Sequence, residues 1–395
     1  MLTLLGGLLV LAALLLLLPA LLLFTQVVLA CLPAPVRVTR QGKRARVAVL
    51  VPAHNEATLI ASTLASIRPQ LREGDQLLVV ADNCTDQTAS LARAAGAQVV
   101  ERQDQQRRGK GYALDFGVQH LRQSPPDVLI IIDADCQVGA DALEQLARCC
   151  VDNGRPAQAL YLMHAPAGAG LKVQVAAFAW RVKNLVRPRG WTRAGLPCQL
   201  MGAGMAFTWQ DLSAVNLATG HLVEDLKLGL ECAALGKPPL FCPEAVVNSH
   251  FPTSQEGLSI QRKRWEHGHL GVVLAEGPKL VGHALARGNW PLLGMAMDLL
   301  VPPLALLSLL LTVLFVVTWL AFGLFGLLLP ALLATLALGL LGTAVLLAWA
   351  RFAREVMPFS VLMYAPFYAA RKIPLYLGFL LKRQVDWVRS KRDDS

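Results

Sequence analysis

Two aspartates raise the first chemical question. Asp133 and Asp135 stand two apart in "IIIDADC", where an apolar run ends. Carboxylates at that spacing can point toward one hard cation, and Mg2+ or Mn2+ held there neutralises a diphosphate. The same spacing occurs in polar turns and helix caps, so the surroundings must decide. A second acidic pair, Glu224 and Asp225, falls in the first turn of "HLVEDLKLGLECAALG" (221–236), an amphipathic stretch stopped at Gly236. Carboxylates there complement the helix dipole. An ionised Asp225 at an exposed helix start equally suits a general base acting on an acceptor hydroxyl. Upstream, "RRGKG" (107–111) supplies a flexible basic loop for phosphates, although it lacks full P-loop spacing. In "QLMGAGMAF" (199–207) small residues let backbone pass close to a ligand.

A further cluster lies in "SIQRKRWEHGHLG" (259–271). On a helix, Gln261, Arg264 and Trp265 fall at i, i+3 and i+4 and share one face. Arg262 and Lys263 between them can turn toward lipid headgroups. His267 and His269, two apart, share no helix face, and no HExxH occurs, so both read as surface or interfacial histidines.

The elements that must position these residues follow from the apolar runs. "RVAVLVPA" (46–53), "QLLVVAD" (76–82), "AQVVE" (97–101) and "DVLIIID" (127–133) read as strands. Helical stretches lie between them, one from Asn55-Glu56 to about Arg68 and one ending at Gly96. Strands alternating with helices predict a parallel sheet, whose ligands gather at the carboxyl ends of the strands. Glu56, Asp82 and Asp133 all fall at those ends.

Composition places part of the chain in lipid. Of its 395 residues 54% are hydrophobic and only 16% charged, where soluble domains carry about a quarter. Residues 1–32 hold no charged side chain and exceed the roughly 20 residues needed to cross a bilayer. They lack the charged start of a cleaved signal peptide, so they read as an anchor. Arg37, Arg40, Lys43, Arg44 and Arg46 follow at once, which by the positive-inside rule keeps residue 33 onward in the cytoplasm. The block 290–350 suits about two more spans, breaking between Gly323 and Pro330 and containing one acid, Asp298. Residues 351–395, with Arg371, Lys372, Lys382 and Arg383, read as interfacial or membrane-inserted helices and a basic tail. The basic, aromatic stretch "AFAWRVKNLVRPRGW" (177–191) belongs on an anionic leaflet or beside an acceptor entrance. The net charge of +10 suits an anionic membrane face and an anionic substrate, and no nucleic-acid recognition motif accompanies it. Eight cysteines show no CxxC pair and no metal-ligand spacing, as expected of thiols in a reducing compartment.

In order, "VPAHNE", "ADNCTD", "GKG", "DAD", "VED" and "QRKRW" resemble the family 2 glycosyltransferases of GT-A fold, most of all the membrane branch with cellulose and hyaluronan synthases and ceramide glucosyltransferase. That resemblance implies a Rossmann-like α/β GT-A domain in the cytoplasm (33–255), interfacial helices with QxxRW (256–289), and transmembrane helices on both sides. It implies an inverting, metal-dependent enzyme of the inner membrane that uses a nucleotide sugar, with a UDP-sugar expected, Mg2+ or Mn2+, and a glycan or lipid-linked acceptor. Pro52, Glu56, Asp82, Lys110 and Asp133 would line the nucleotide, and Asp133 and Asp135 would hold the metal. Asp225 would be the base with Glu224 beside it, while Gln261, Arg264 and Trp265 would serve the diphosphate and acceptor. The role expected is exopolysaccharide or cell-surface glycan synthesis. The alternatives are a single-transfer glycolipid synthase or, from another class, an inactive scaffold or transport subunit. Ala81-Asp82-Asn83 departs from relatives that carry two adjacent acids there.

Overall fold

The structure, a computed structural model, describes residues 2–33, 44–213, 215–221, 223–252 and 254–381. Arg37, Arg40, Lys43, Lys382 and Arg383, expected at a membrane surface, lie outside these residues. Two compact units emerge. One holds a β-sheet and takes in residues up to 164 and 196–269; the other is helical and takes in the N-terminal helix, 165–195 and the residues from 270 onward.

The sheet has strands β1 (Val47–Ala53), β2 (Gln76–Asp82), β3 (Gln98–Arg102), β4 (Val128–Ile131), β5 (Gln137–Val138), β6 (Ala157–His164), β7 (Met205–Thr208) and β8 (Leu240–His250). Their order is β3-β2-β1-β4-β7-β6-β8-β5. β3, β2, β1 and β4 are parallel, as the alternating pattern predicts. The sheet as a whole is mixed, which corrects the parallel expectation. β7 returns antiparallel between β4 and β6, and β5 pairs antiparallel with β8. β7 has only four residues, too few to carry a period, and long-range pairing places it. The Gly204 N–H just before it donates to the Ile131 carbonyl at 2.9 Å. Val47 to Val51 are buried, as parallel strands covered on both faces must be.

One carboxylate ties the entry edge of this sheet together. The Asp75 side chain is fully buried and takes both terminal nitrogens of Arg44, at 3.0 and 2.8 Å. It also accepts the backbone N–H groups of Val47 at 2.9 Å and Arg72 at 2.9 Å. Burial pushes its pKa up, but these four donors outweigh burial and the net shift is downward.

In the helical unit three helices are long and apolar enough to cross a membrane: Leu2–Ala30, Leu304–Phe325 and Leu328–Phe352. The break between the last two falls inside the expected 323–330 window, with Gly326 at φ 71° as the stop. The first span of that pair begins at Leu304, later than the expected 290. Pro302 and Pro303 interrupt the chain, and Trp290–Leu299 forms a separate helix. QxxRW lies on one continuous helix, Gln255–Ala286, and the residues beyond 352 form three short helices.

In the basic stretch 177–191, expected on an anionic leaflet or beside an acceptor entrance, arginines bond backbone carbonyls. Arg189 Nε donates to the Ala30 carbonyl at 3.1 Å and Arg193 Nε to the Leu32 carbonyl at 3.0 Å. Arg181 Nη1 donates to the Phe352 carbonyl at 2.7 Å. Helix ends leave carbonyls without intrahelical partners; Arg189 and Arg181 satisfy those of Ala30 and Phe352, and Arg193, two residues past the stretch, bonds Leu32 just beyond the first helix. Arg187 is buried against Asp298, bonded through Nε at 3.2 Å and Nη2 at 2.8 Å, and Gln26 Nε2 donates to the same oxygen at 2.6 Å.

Candidate active site

The carboxyl ends of β1 and β2 lead into two loops that lace together. The His54 ring bonds the Asp82 carbonyl at 2.6 Å, and the Thr85 N–H donates to Asn55 Oδ1 at 2.7 Å. The Glu56 N–H donates to Thr88 Oγ1 at 2.7 Å, so Glu56 sits at the mouth of these loops, just beyond Pro52 on β1. Asp82 is buried and bonded by Arg102 Nη1 at 2.7 Å and by Asn83 Nδ2 at 2.9 Å. Burial raises its pKa and Arg102 opposes the rise; the net shift is upward. Arg102 also donates to Asp104 Oδ2 at 3.1 Å and to the Arg107 carbonyl at 2.7 Å. It thereby holds the loop that leads to Lys110.

β4 ends at Ile131, so Asp133 and Asp135 lie on the turn beyond the strand. That turn is pinned from two sides. Thr63 Oγ1 donates to the Ala134 carbonyl at 2.8 Å, and Ser249 Oγ on β8 donates to Asp135 Oδ2 at 3.2 Å.

Lys110, the first residue of helix Lys110–Leu121, reaches the same turn. Its ammonium pairs with Asp133, donates to the Gly202 carbonyl at 2.8 Å and lies 3.8 Å from Glu224. Gly202 is the hub, at φ 95°. A Cβ built there would stand 3.4 Å from Asp225 Oδ2, 3.7 Å from Lys110 Nζ and 3.8 Å from Asp133 Oδ2. Three predicted site residues, Lys110, Asp133 and Asp225, therefore converge on one glycine, with Glu224 beside Lys110.

The electrostatics of this cluster are unbalanced. Burial opposes the Lys110 charge, but Asp133, Glu224 and Asp225 more than offset that and raise its pKa. Asp133 is pushed up by burial and by Asp135 and Asp225, against the pull of Lys110. Glu224 is pushed up to about 7, first by burial and then by Asp225, again against Lys110. One cation thus faces more carboxylate than it can neutralise.

Among the described residues no set of three or more His, Cys, Asp or Glu groups is placed to hold a metal. Mg2+ characteristically uses one or two carboxylates and takes its other oxygens from substrate phosphates and water. Asp133 and Asp135, hard oxygen donors in a carboxylate-rich setting, fit that pattern.

Gln261, Arg264 and Trp265 share a face of helix Gln255–Ala286, Gln261 buried and the other two half-buried. Gln261 Oε1 and Arg264 Nε are buried with no hydrogen-bond partner among the described residues. Of the basic pair between them, Lys263 is exposed and Arg262 half-buried. His267 is fully buried, which corrects its reading as a surface histidine. Leu270 and Gly271, at i+3 and i+4 from it, are buried on the same side of the helix. Gly202, Arg102 and Ser249 escaped the sequence reading as individual residues. The glycine-rich stretch 199–207 carried the only signal for the first.

Residues 45–268 match the family described as glycosyltransferase like family 2. The chain belongs to that family. Its motifs, from Pro52 to Trp265, fall inside the matched residues. Among solved structures, this family 2 chain is similar to the mannosyltransferase PcManGT from Pyrobaculum calidifontis, in complex with GDP-Man and Mn2+. The TM-score is 0.58 at 20% identity, covering 92% of this chain and 98% of that one. The mixed sheet is thus a GT-A fold, in a chain with apolar helices at its N-terminus and in its C-terminal region. Glucosyl-3-phosphoglycerate synthase from Mycobacterium tuberculosis, with Mn2+, UDP and phosphoglyceric acid, matches at 24% identity and a TM-score of 0.39, over 56% of this chain and 76% of that one. A comparison with curated proteins gives no match.

Proposed function

We propose that the chain transfers a sugar from a nucleotide sugar to a hydroxyl of a glycan or lipid-linked acceptor, with inversion at the anomeric carbon. The observation that carries this reading is the convergence of Lys110, Asp133 and Asp225 on Gly202. Asp225 takes the proton of the acceptor hydroxyl, and that oxygen attacks the anomeric carbon. The bond from that carbon to the diphosphate breaks, and the nucleoside diphosphate leaves with the electron pair. Lys110 stands where it meets the diphosphate charge. Asp133 and Asp135 would hold Mg2+ or Mn2+, which supplies further charge neutralisation for the leaving group. Glu224 keeps negative potential beside Asp225.

Pro52, Glu56 and Asp82 line the nucleotide in this reading, with a uridine donor expected. The GDP-Man bound to PcManGT makes a guanosine donor the first alternative to screen. Gln261 Oε1 and Arg264 Nε are buried polar atoms that a ligand would satisfy, supporting a role at the diphosphate and acceptor. Trp265 offers an aromatic face for a sugar ring. The three apolar helices support a membrane enzyme; the basic residues that follow the first of them support a cytoplasmic sheet unit, in an inner-membrane protein with a part in cell-surface glycan synthesis. A set of three such helices among the described residues favours single transfer to a lipid-linked acceptor over a one-chain polymer channel.

The test is nucleoside diphosphate release by the purified full chain over a panel of nucleotide sugars with Mn2+ or Mg2+. Release with at least one donor, lost in Asp133→Ala and Asp225→Asn, supports the enzyme. Turnover that both substitutions leave intact rules out this site. Product mass then separates one added sugar from a ladder.

A further inference from the structure

Beside the carboxylate cluster lies a pocket of about 200 Å3. That is smaller than the roughly 300–1,000 Å3 of sites for drug-sized ligands, and it suits a single ring. One wall is a face of helix Glu224–Ala234, where Glu224, Leu228 and Glu231 follow at i, i+4 and i+7. The opposite wall is Gly111 and Leu114, and Met205 of β7 also lines it. Asn216 and Thr219 close it from the connecting loop. Gly111 is needed for that closure, because a Cβ there would come 2.4 Å from the Thr219 carbonyl oxygen and 2.6 Å from that of Leu217.

The chemistry of the wall is selective. Asp225 faces this pocket and also the Lys110–Asp133 group, so it stands where the two meet. Three carboxylates, Glu224, Asp225 and Glu231, line the pocket against one ammonium, Lys227, whose Nζ lies 2.9 Å from His221 Nε2. Lys110 is not among the lining residues. Carboxylates accept hydroxyl protons and repel phosphate or carboxylate. Leu217 and Leu228, which keep a little exposure, give the apolar contact for the C–H face of a ring, over the fully buried Leu114 and Met205.

We propose that this pocket receives one neutral sugar ring and rejects phosphorylated or carboxylated ones. The inference rests on the nucleotide-sugar reading above and adds the class of ring at that site. The ring has two sources, the sugar being transferred or the terminal sugar of the acceptor.

The experiment uses the full chain in nanodiscs, free of sugar-headed detergents, and ligand-observed NMR. The neutral probes are methyl glucoside, methyl mannoside and N-acetylglucosamine; the anionic probes are glucuronate and glucose 6-phosphate. Wild type is expected to bind at least one neutral probe at least tenfold tighter than either anionic one. Leu228→Phe, which fills the pocket, weakens the neutral probe at least tenfold. Glu231→Lys, at an exposed position outside the core, narrows the neutral-over-anionic preference at least threefold. Equal binding of anionic probes by wild type overturns the proposal, as does indifference of probe binding to both variants.

The two sources separate by competition. If the pocket holds the donor's ring, saturating nucleotide sugar displaces the probe, and Leu228→Phe weakens the nucleotide sugar but not the free nucleoside diphosphate. If it holds the acceptor's ring, donor and probe bind together and only the acceptor KM rises. Failure of probe binding with nucleoside diphosphate release intact removes this inference alone. Absence of release with every donor removes the enzymatic reading.

Discussion

Asp75 and Asp133 are the same residue type in the same sheet unit, yet their environments are opposite. Asp75 is fully buried but meets four donors, and its pKa falls. Asp133, pushed up first by burial, shares one ammonium with Glu224 and Asp225 nearby, and its pKa rises. A carboxylate whose donors are all internal stabilises the fold and has nothing left for a ligand. A carboxylate in a group with surplus negative charge is poorly stabilised by its own protein, and a bound cation or cationic transition state relieves it. Asp298 in the helical unit belongs with Asp75, since Arg187 and Gln26 satisfy it from within.

The sharpest way to break this comparison is to exchange the two outcomes. Asp225→Asn is expected to lower nucleoside diphosphate release by about 10²–10⁴-fold while leaving Tm unchanged or higher, because it removes surplus charge. Asp75→Asn should do the reverse. The amide cannot accept all four donors, and although Glu144 still accepts from Arg44 Nε at 2.8 Å, the buried hydrogen bonds lost cost about 1–3 kcal/mol of stability, read as a lower Tm, with KM values unchanged in the protein that remains folded. A thermally fragile Asp225→Asn, or an Asp75→Asn that loses turnover at unchanged Tm, would erase the distinction.

Acid sharpens it further. The folded pKa of Asp75 lies below its ordinary value of about 3.9. Its stabilisation is therefore fully present above that value and is lost as pH falls through the lower, folded one. The Tm gap between wild type and Asp75→Asn should stay constant from pH 7 to 5 and close below about pH 4. A gap that persists into stronger acid would mean that the substituted amide fails for steric reasons.

Smaller effects probe how the unbalanced group is held. Gly202→Ala forces an L-residue into φ 95°, a strain of about 1–2 kcal/mol. The backbone that holds Lys110 and neighbours Asp225 must shift to relieve that strain, so turnover should fall roughly tenfold or more. Ser249→Ala removes one hydrogen bond to Asp135, worth about 1 kcal/mol. The expected result is a rise of about fivefold in half-saturating Mn2+ with Tm nearly unchanged.

Much of the site was legible in the sequence because its residues follow local signals. Asp82 closes an apolar run that is a strand to the residue, and Glu224 and Asp225 open a helix that begins where its first turn was expected. The break after Phe325 was visible as Gly and Pro in an otherwise apolar block. What stayed hidden depends on partners far apart in the chain. β7 takes its direction from β4, more than 70 residues earlier. Arg102 falls one residue past the expected strand 97–101 and becomes the clamp on Asp82 only when β2 and β3 pair. Arg181 and Arg189 in 177–191 suggested a leaflet or an acceptor entrance because charge and aromaticity are local, whereas the carbonyls they bond lie far off in the chain, at Phe352 and Ala30.

Those carbonyl bonds bear on membrane thickness. Leu2–Ala30 has 29 residues, about 43 Å at 1.5 Å per residue, against a hydrocarbon core of roughly 30 Å. A free helix with that surplus can slide or tilt either way. Here Arg189 and Arg193 hold its carboxyl end, so sliding is expected to show at the other end, among Leu2, Leu4 and Leu8. A thicker bilayer would draw that end in, and a thinner one would push it out, while the arginine-held end keeps its depth.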